Sequence, residues 1–269
     1  MSFEGFRAAE IQGWDARAEA YNAYTGQVTT RAIPKLLEMA ETAPDRRILD
    51  LCCGTGRAAG AACALGAHAE GIDASRAMIK AARASFPNVN FDVGDAEAIP
   101  REDQTFESVI CSFGLMHVPS PEGLLIEVAR VLRPGGRVAL SHWVGPPDSV
   151  FFRVVFGAIQ RLADMTSVPP SPPPFALSSE VAMRDILKRT GFQNVTVTEL
   201  PLVFTAPQGR FAEHFRSFAA RAAVILDAQS NDVLDDIYAS WDARLGDYLL
   251  DGRYEVPMPA LAVSAVREA

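Results

Sequence analysis

Arg46-Arg47-Ile48-Leu49-Asp50-Leu51-Cys52-Cys53-Gly54-Thr55-Gly56 is an apolar run that passes into a glycine turn and then into the alanine-rich stretch 57–64. An apolar run bounded by glycines reads as a buried strand and the alanine-rich continuation as a helix, which makes the whole a strand–turn–helix unit. Glycines at 54 and 56 can take backbone angles closed to other residues, so the main chain can approach a ligand closely and present amides at a helix start. The G-x-G-x-x-[G/A] spacing, with Ala59 in the last place, also fits a dinucleotide fold. Asp50 separates the two readings, because a carboxylate at the strand end repels a pyrophosphate and attracts a cation. Gly71-Ile72-Asp73 then ends a second strand and sets an acid where ribose hydroxyls can donate to both of its oxygens.

Four segments occur in order: Ile48 to Gly56, Gly71-Ile72-Asp73, Gly94-Asp95-Ala96 and Arg130-Val131-Leu132-Arg133-Pro134-Gly135-Gly136. As a set they resemble the ordered motifs of class I S-adenosylmethionine (SAM)-dependent methyltransferases, most of all the branch that contains quinone-biosynthesis and small-molecule enzymes. The resemblance covers residues 46 to about 143 and thins toward the C-terminus. It implies an α/β fold, a doubly wound, mostly parallel seven-stranded Rossmann-like sheet, with N-terminal lid helices and a helical cap inserted before the last strand. It also implies SAM as cofactor and S-adenosylhomocysteine as product. SAM carries no phosphate, and its ammonium and sulfonium suit Asp50. By the same resemblance Asp50 lies near the methionine end, Cys52, Gly54 and Gly56 line the turn, and Asp73 holds the ribose. Ala74 and Met78 flank the adenine, Asp95 accepts from its amino group while the Ala96 amide donates to a ring nitrogen, Ser112 and Phe113 touch the cofactor from the fourth strand, and Tyr24 comes from the lid.

The 269 residues can bury one large core, or a catalytic domain with a modest cap. With 33 acids against 25 bases and a pI near 5.1, the surface repels polyanions, which sets nucleic acid aside as a partner and leaves a small-molecule acceptor. Cysteines 52, 53, 63 and 111 form no C-x-x-C pair and stand near no histidine at metal-ligand spacing, so they read as small core residues, and with no cluster of acids and histidines that suggests a divalent site, metal-free chemistry is expected. With no signal-peptide pattern and no apolar run of membrane-spanning length, a cytoplasmic protein is expected. The oligomeric state is not legible.

In chain order, residues 1–44 read as a helical lid, 45–205 as the cofactor-binding core, 206–252 as the cap and 253–269 as the final strand. In the lid, Ile11, Trp14, Ala18 and Tyr21, and then Ile33, Leu36, Leu37 and Ala40, recur at three- and four-residue steps. Strands are predicted near 47–52, 69–73, 89–93, 107–113 and 136–142, with helices near 56–65, 75–85 and 121–132 between them. Residues 149–164 return to a helical pattern, and the prolines of 168–174 make an extended segment, either a linker or a stiff loop at a pocket rim. A capped helix opens at Ser179, Val195 to Phe204 supplies a sixth strand, and 207–250 supplies two amphipathic helices. Tyr254 to Val266 is the final strand, antiparallel by resemblance.

Methyl transfer is a direct displacement, so positioning and exclusion of water dominate, with a base needed where the acceptor must lose a proton. His117, in the loop after the fourth strand, is the first candidate base and His142, at the end of the fifth, the second. Phe151, Phe152, Phe156, Phe175, Phe204, Phe211, Phe215 and Phe218 concentrate in the segments assigned to the cap, which points to a largely apolar acceptor, unless they are simply the core of that cap. The expected activity is methylation of an oxygen or carbon atom, ahead of nitrogen, of a small metabolite of secondary metabolism. No Asn-Pro-Pro-Tyr-like tetrad follows the fourth strand, which argues against amide or base nitrogens. A cyclase or decarboxylase on the same scaffold, or a SAM-binding module without catalysis, are the alternatives.

Overall fold

The computed structural model describes residues 3–268, apart from the side chain of Phe218. In chain order the elements are α1 (Glu4–Asp15), α2 (Thr25–Thr29), α3 (Ile33–Met39), β1 (Arg47–Leu51), α4 (Arg57–Ala64), β2 (His68–Asp73), α5 (Arg76–Ser85), β3 (Asn90–Val93), β4 (Phe106–Ser112), α6 (Pro121–Val131) and β5 (Leu132–Trp143). There follow α7 (Val150–Leu162), α8 (Glu180–Arg189), β6 (Phe192–Leu200), β7 (Val203–Pro207), α9 (Phe211–Phe218), α10 (Ala220–Asp227), α11 (Asn231–Leu245), β8 (Leu249–Leu250), β9 (Arg253–Pro257) and β10 (Ala260–Arg267).

Seven strands form one sheet in the order β3-β2-β1-β4-β5-β10-β6. The first five are parallel, and β10 runs antiparallel between β5 and β6. Strand alternation splits the apolar residues between two faces. Ile48, Ile110 and Ala139 pack into one cluster with Leu36 and Ala40 of the α3 segment, while Leu49, Leu51, Val109 and Leu140 pack into another with Leu124 of α6 and Met183 of α8. Burial on both faces is what a parallel sheet needs and what the near-continuous apolar run of β1 signals.

Local chemistry sets the helix starts. Ser75, Ser120, Ser149, Ser179 and Ser230 each accept a backbone N–H of the helix they precede. α4 has no such cap. Its preceding residue, Gly56, is left-handed at φ 79°, and a Cβ there would come within 2.5 Å of the Phe91 ring, so both conformation and space require glycine.

The sequence reading of the C-terminal part needs correction. Neither 195–204 nor 254–266 is one strand: each long segment breaks at the same level, where Pro201 and Pro259 cannot donate to a ladder. β6 and β10 stay in the main sheet, whereas β7 and β9 pair with each other and with β8 in a separate antiparallel sheet. The Met258 amide bonds the Leu202 carbonyl at 2.9 Å across the break. The cap holds three helices, α9 to α11, rather than two. The cap phenylalanines are mostly its own core. Phe151, Phe204, Phe211 and Phe215 are buried with ring centroids 4.8 to 6.5 Å apart, and Trp241 closes the cluster 5.1 Å from Phe215.

Phe215→Ala should therefore destabilise the fold by about 3–5 kcal/mol, read as a lower urea midpoint followed by tryptophan fluorescence.

Candidate functional site

The site is built on the turn after β1. Asp50 is 2% exposed, and its Oδ2 accepts the Ala59 amide of the first turn of α4 at 2.9 Å. Burial pushes its carboxyl up to about 7; the Ala59 N–H opposes the rise and the nearby Asp73 charge adds to it. Cys52 at φ 56° and Gly54 at φ 53° turn the chain back across the strand ends. Gly114, in the loop after β4, lies against this turn, and a Cβ there would meet Cys52 Cβ at 2.5 Å. Cys52 of the turn and Cys111 of β4 thus both lie against the loop that carries His117.

At the end of β2, Asp73 Oδ2 accepts the Gly54 amide and Oδ1 the Ser75 amide, both at 2.8 Å. Burial raises its pKa, while the two N–H donors and the His117 charge pull the other way. Each carboxylate oxygen has two lone-pair sites, so capacity remains for a pair of ligand hydroxyls. Ala74 is exposed beside it and Met78 is buried one turn into α5. After β3, Asp95 accepts the Glu97 amide at 2.9 Å and is bonded by Arg7; Ala96 is buried.

The lid crosses these strand ends. On α1, Arg7 bonds Asp95 and Glu97, Glu10 Oε2 lies 2.7 Å from His117 Nδ1, and Asp15 accepts the Ser75 hydroxyl at 2.5 Å and the Ala77 amide at 3.1 Å. Trp14 meets the His117 ring edge-on, centroids 5.1 Å apart. Asn22 accepts from Thr55 and Arg57, fastening the lid to the glycine turn. A cavity of about 30 Å³ lies between lid and turn, lined by Tyr21, Thr30, Ile33, Asp50, Cys52 and Ser112 among others.

The predicted residues separate at this point. Of the predicted residues, Asp50, Cys52 and Ser112 line the cavity, together with Cys53 and Thr55 of the turn, whereas Gly54, Gly56, Asp73, Ala74, Met78, Asp95 and Ala96 do not. Nor does Tyr24: it leaves helical geometry at φ −123°, ψ −84°, and its ring meets His214 of the cap at 4.8 Å, while Tyr21 is the lid aromatic at the cavity. Phe113 stacks on Trp143 with centroids 3.9 Å apart, and its amide donates to Ser141 Oγ. His142 is 2% exposed, shares a strand face with Leu140 and Val144 rather than with Ser141, and bonds the Trp143 carbonyl through Nδ1 at 2.9 Å. Burial lowers its pKa to about 4, so it is neutral; it is also walled in, whereas His117 is half-buried. Glu10, Asp15 and Thr30 were not anticipated. The sequence stripe Ile11, Trp14, Ala18 and Tyr21 does not include Glu10, which the structure buries on α1 together with Phe6 and Gly13, while Ile11 and Trp14 are only half-buried.

The donor set fits a nucleoside that carries a cation and no phosphate. Among the described residues no basic side chain bonds the buried Asp50 carboxylate, and no group partners the buried Thr30 hydroxyl at the cavity. Among the described residues no group of three or more His, Cys, Asp or Glu could hold a metal ion, and no helix is long and apolar enough to cross a membrane.

Residues 48–136 match a family model described as a methyltransferase domain. The chain is 33% identical over 132 residues to demethylmenaquinone methyltransferase of Renibacterium salmoninarum, a match covering 48% of this chain and 56% of that protein. It thus spans about half the length of the curated relatives it matches. Among solved structures, the YcgJ protein of Bacillus subtilis superposes with a TM-score of 0.62 at 19% identity, covering 89% of this chain and 99% of that one. Phosphoethanolamine N-methyltransferase 2 of Haemonchus contortus, solved with SAM, superposes with a TM-score of 0.55 at 20% identity, covering 89% of this chain and 53% of that one.

A carboxyl raised to about 7 adds stability that is complete below the ordinary carboxylate pKa and is lost as pH rises through 7. A cationic ligand holds Asp50 ionised, so its binding should release a proton below pH 7 and tighten with rising pH, by up to about tenfold per unit, before levelling. Calorimetry in two buffers of different ionisation enthalpy reads the proton directly, and Asp50→Asn should abolish both effects.

Proposed function

We propose, on the premise that residues 48–136 belong to the class I SAM-dependent methyltransferases, that the whole chain methylates a carbon or oxygen atom of a small, largely apolar acceptor. The observation that carries this reading is Asp50, a buried carboxylate to which no cation among the described residues bonds, at the carboxyl end of β1, where open α/β sheets bind their ligands. Its charge favours a ligand with an ammonium and a sulfonium over a dinucleotide.

Bound there, SAM supplies an electrophilic methyl group for direct displacement. Asp50 and the turn at 52–56 hold its amino-acid end, Asp73 its ribose, and Asp95, Ala96, Ala74 and Met78 its adenine; Ser112 and Phe113 border it from the β4 side. Trp14 and Tyr21 shield the reacting centre from water. His117 takes the proton that the acceptor loses, since its imidazole is half-buried beside the lid and its loop follows β4. His142, neutral and enclosed, serves packing instead.

An apolar acceptor is supported by rings that continue outward from the cap core. Trp143, Phe152, Phe156 and Phe175 run in successive contact from Phe113 to the end of the proline loop, and Phe156 and Phe175 are only partly buried. The relatives' name, demethylmenaquinone methyltransferase, points to a quinone-type acceptor as well. A neutral imidazole base suits phenolic or enolic acceptors, which places oxygen and carbon ahead of nitrogen.

The test is incubation with methyl-labelled SAM and a panel of quinols, phenols and metabolite extracts. S-adenosylhomocysteine and a singly methylated product are expected; tight SAM binding with no S-adenosylhomocysteine on any acceptor would refute the reading. His117→Ala should lower turnover by about 10²- to 10⁴-fold with SAM affinity little changed. The loss should shrink as pH rises toward the acceptor's own pKa, because a pre-ionised acceptor needs no base. An equal loss at every pH would make His117 a packing residue.

A further inference from the structure

Glu10 is an anomaly in α1. It is 3% exposed, it occupies the stripe that Phe6 and Gly13 bury against the rest of the protein, and a carboxylate in such a place is costly unless hydrogen-bonded. Its hydrogen bond runs to His117 Nδ1 at 2.7 Å, across 107 residues of chain. The Arg17 and Arg221 charges act on it from α1's own C-terminal end and from α10 without bonding it. Arg221 spends one nitrogen on the Pro169 carbonyl, and its buried Nη1 has no partner among the described residues.

We infer that Glu10 is the positioning residue for His117, so that the base is assembled only when α1 is seated across the strand ends. This rests on the reading of His117 as the base. With Glu10 as the acceptor of this bond, Nδ1 carries the proton and the lone pair is confined to Nε2, the nitrogen left for the acceptor. The same carboxylate stabilises the imidazolium that forms when Nε2 takes the acceptor's proton. No atom of Glu10 reacts. The imidazole belongs to the core loop after β4, whereas the carboxylate belongs to the lid, and the lid's other anchors are the groups that border the nucleoside. Arg7 bonds Asp95, and Asp15 bonds Ser75 and Ala77 at the start of α5. Seating of α1 over the adenine and ribose side thereby brings Glu10 to the base, and a shift of one helical turn, about 5.4 Å, breaks the bond.

The experiment uses the full chain labelled with ¹⁵N-histidine, observed at mildly alkaline pH with S-adenosylhomocysteine added. His117 should show the Nδ1-protonated tautomer alone. Glu10→Gln, nearly isosteric, should keep the melting temperature and turn this signal into a mixture of tautomers; the double variant Arg7→Ala/Asp15→Ala should do the same by unseating the lid. Glu10→Gln should lower kcat by about tenfold to a hundredfold, with Kd for S-adenosylhomocysteine within about twofold and partial rescue in Glu10→Asp. In a His117→Ala background, Glu10→Gln should cost nothing more. An Nε2-protonated His117 in the unaltered protein, an unchanged tautomer in Glu10→Gln, or an undiminished loss in the His117→Ala background would each overturn the assignment, and an unchanged tautomer in the unseated-lid variant would overturn its dependence on α1. The tautomer is read without turnover, so an intact Glu10–His117 pair in a protein that methylates nothing refutes the methyl-transfer reading and leaves the positioning in place.

Discussion

A buried carboxylate at the end of β1 is the constraint around which the site is arranged. Asp50 cannot reach water, and its bond to the Ala59 amide ties the strand end to the first turn of a helix that lacks a side-chain cap. To make that bond the chain must reverse through Cys52, Gly54 and Gly56, all at positive φ, and the last of these has room only for a hydrogen beside Phe91. The rest of the site is placed from this turn. Asp73 holds the Gly54 amide, Gly114 brings the His117 loop against Cys52, and Tyr21 faces Asp50 across the cavity. The arrangement leaves a carboxyl half-ionised near neutral pH, a state that a cation relieves.

Lid and core are held by different forces. The sheet and its helices bury continuous apolar clusters, whereas α1 is fastened largely by the polar side chains of Arg7, Glu10 and Asp15. The Arg7 pairs with Asp95 and Glu97 are partly exposed and each worth little, whereas Glu10 is buried and depends on its bond to His117. The cap packs on the same N-terminal segment: Gly13 of α1 meets Ala220 closely, and beyond that helix Arg17 donates to the Arg216 carbonyl and Thr25, the first residue of α2, to the Ser217 carbonyl. One helix is therefore in contact with the cofactor-side acids, the base and the cap.

The sheet owes its shape at the far edge to two prolines at one level. Because β6 and β10 lose their ladder where Pro201 and Pro259 fall, the strands that continue them form a second sheet on which the cap helices rest. The aromatic residues of the cap are divided by this arrangement. Phe204, Phe211 and Phe215 fill its interior, and the partly buried Phe156 and Phe175 lie toward Trp143 and the strand ends.

The sequence by itself determined the parallel half of the fold to within a few residues at most strand and helix ends, along with Asp50, the glycine turn and Asp73. Those features are written locally, in runs of alternating burial, in glycines that alone tolerate a given φ, and in serines that cap the helix beginning beside them. The start of β5 at Leu132 and the split of 195–204 and 254–266 were less legible, because strand length depends on what the neighbouring strand offers for pairing. Only the tertiary structure decided that Tyr21 rather than Tyr24 meets the cavity, that His142 is enclosed while His117 is not, and that Glu10 reaches His117. Periodicity shows which face of a helix is buried. It does not show which residue, a hundred positions away, that face will meet, because this is settled by how the helix packs across the completed sheet.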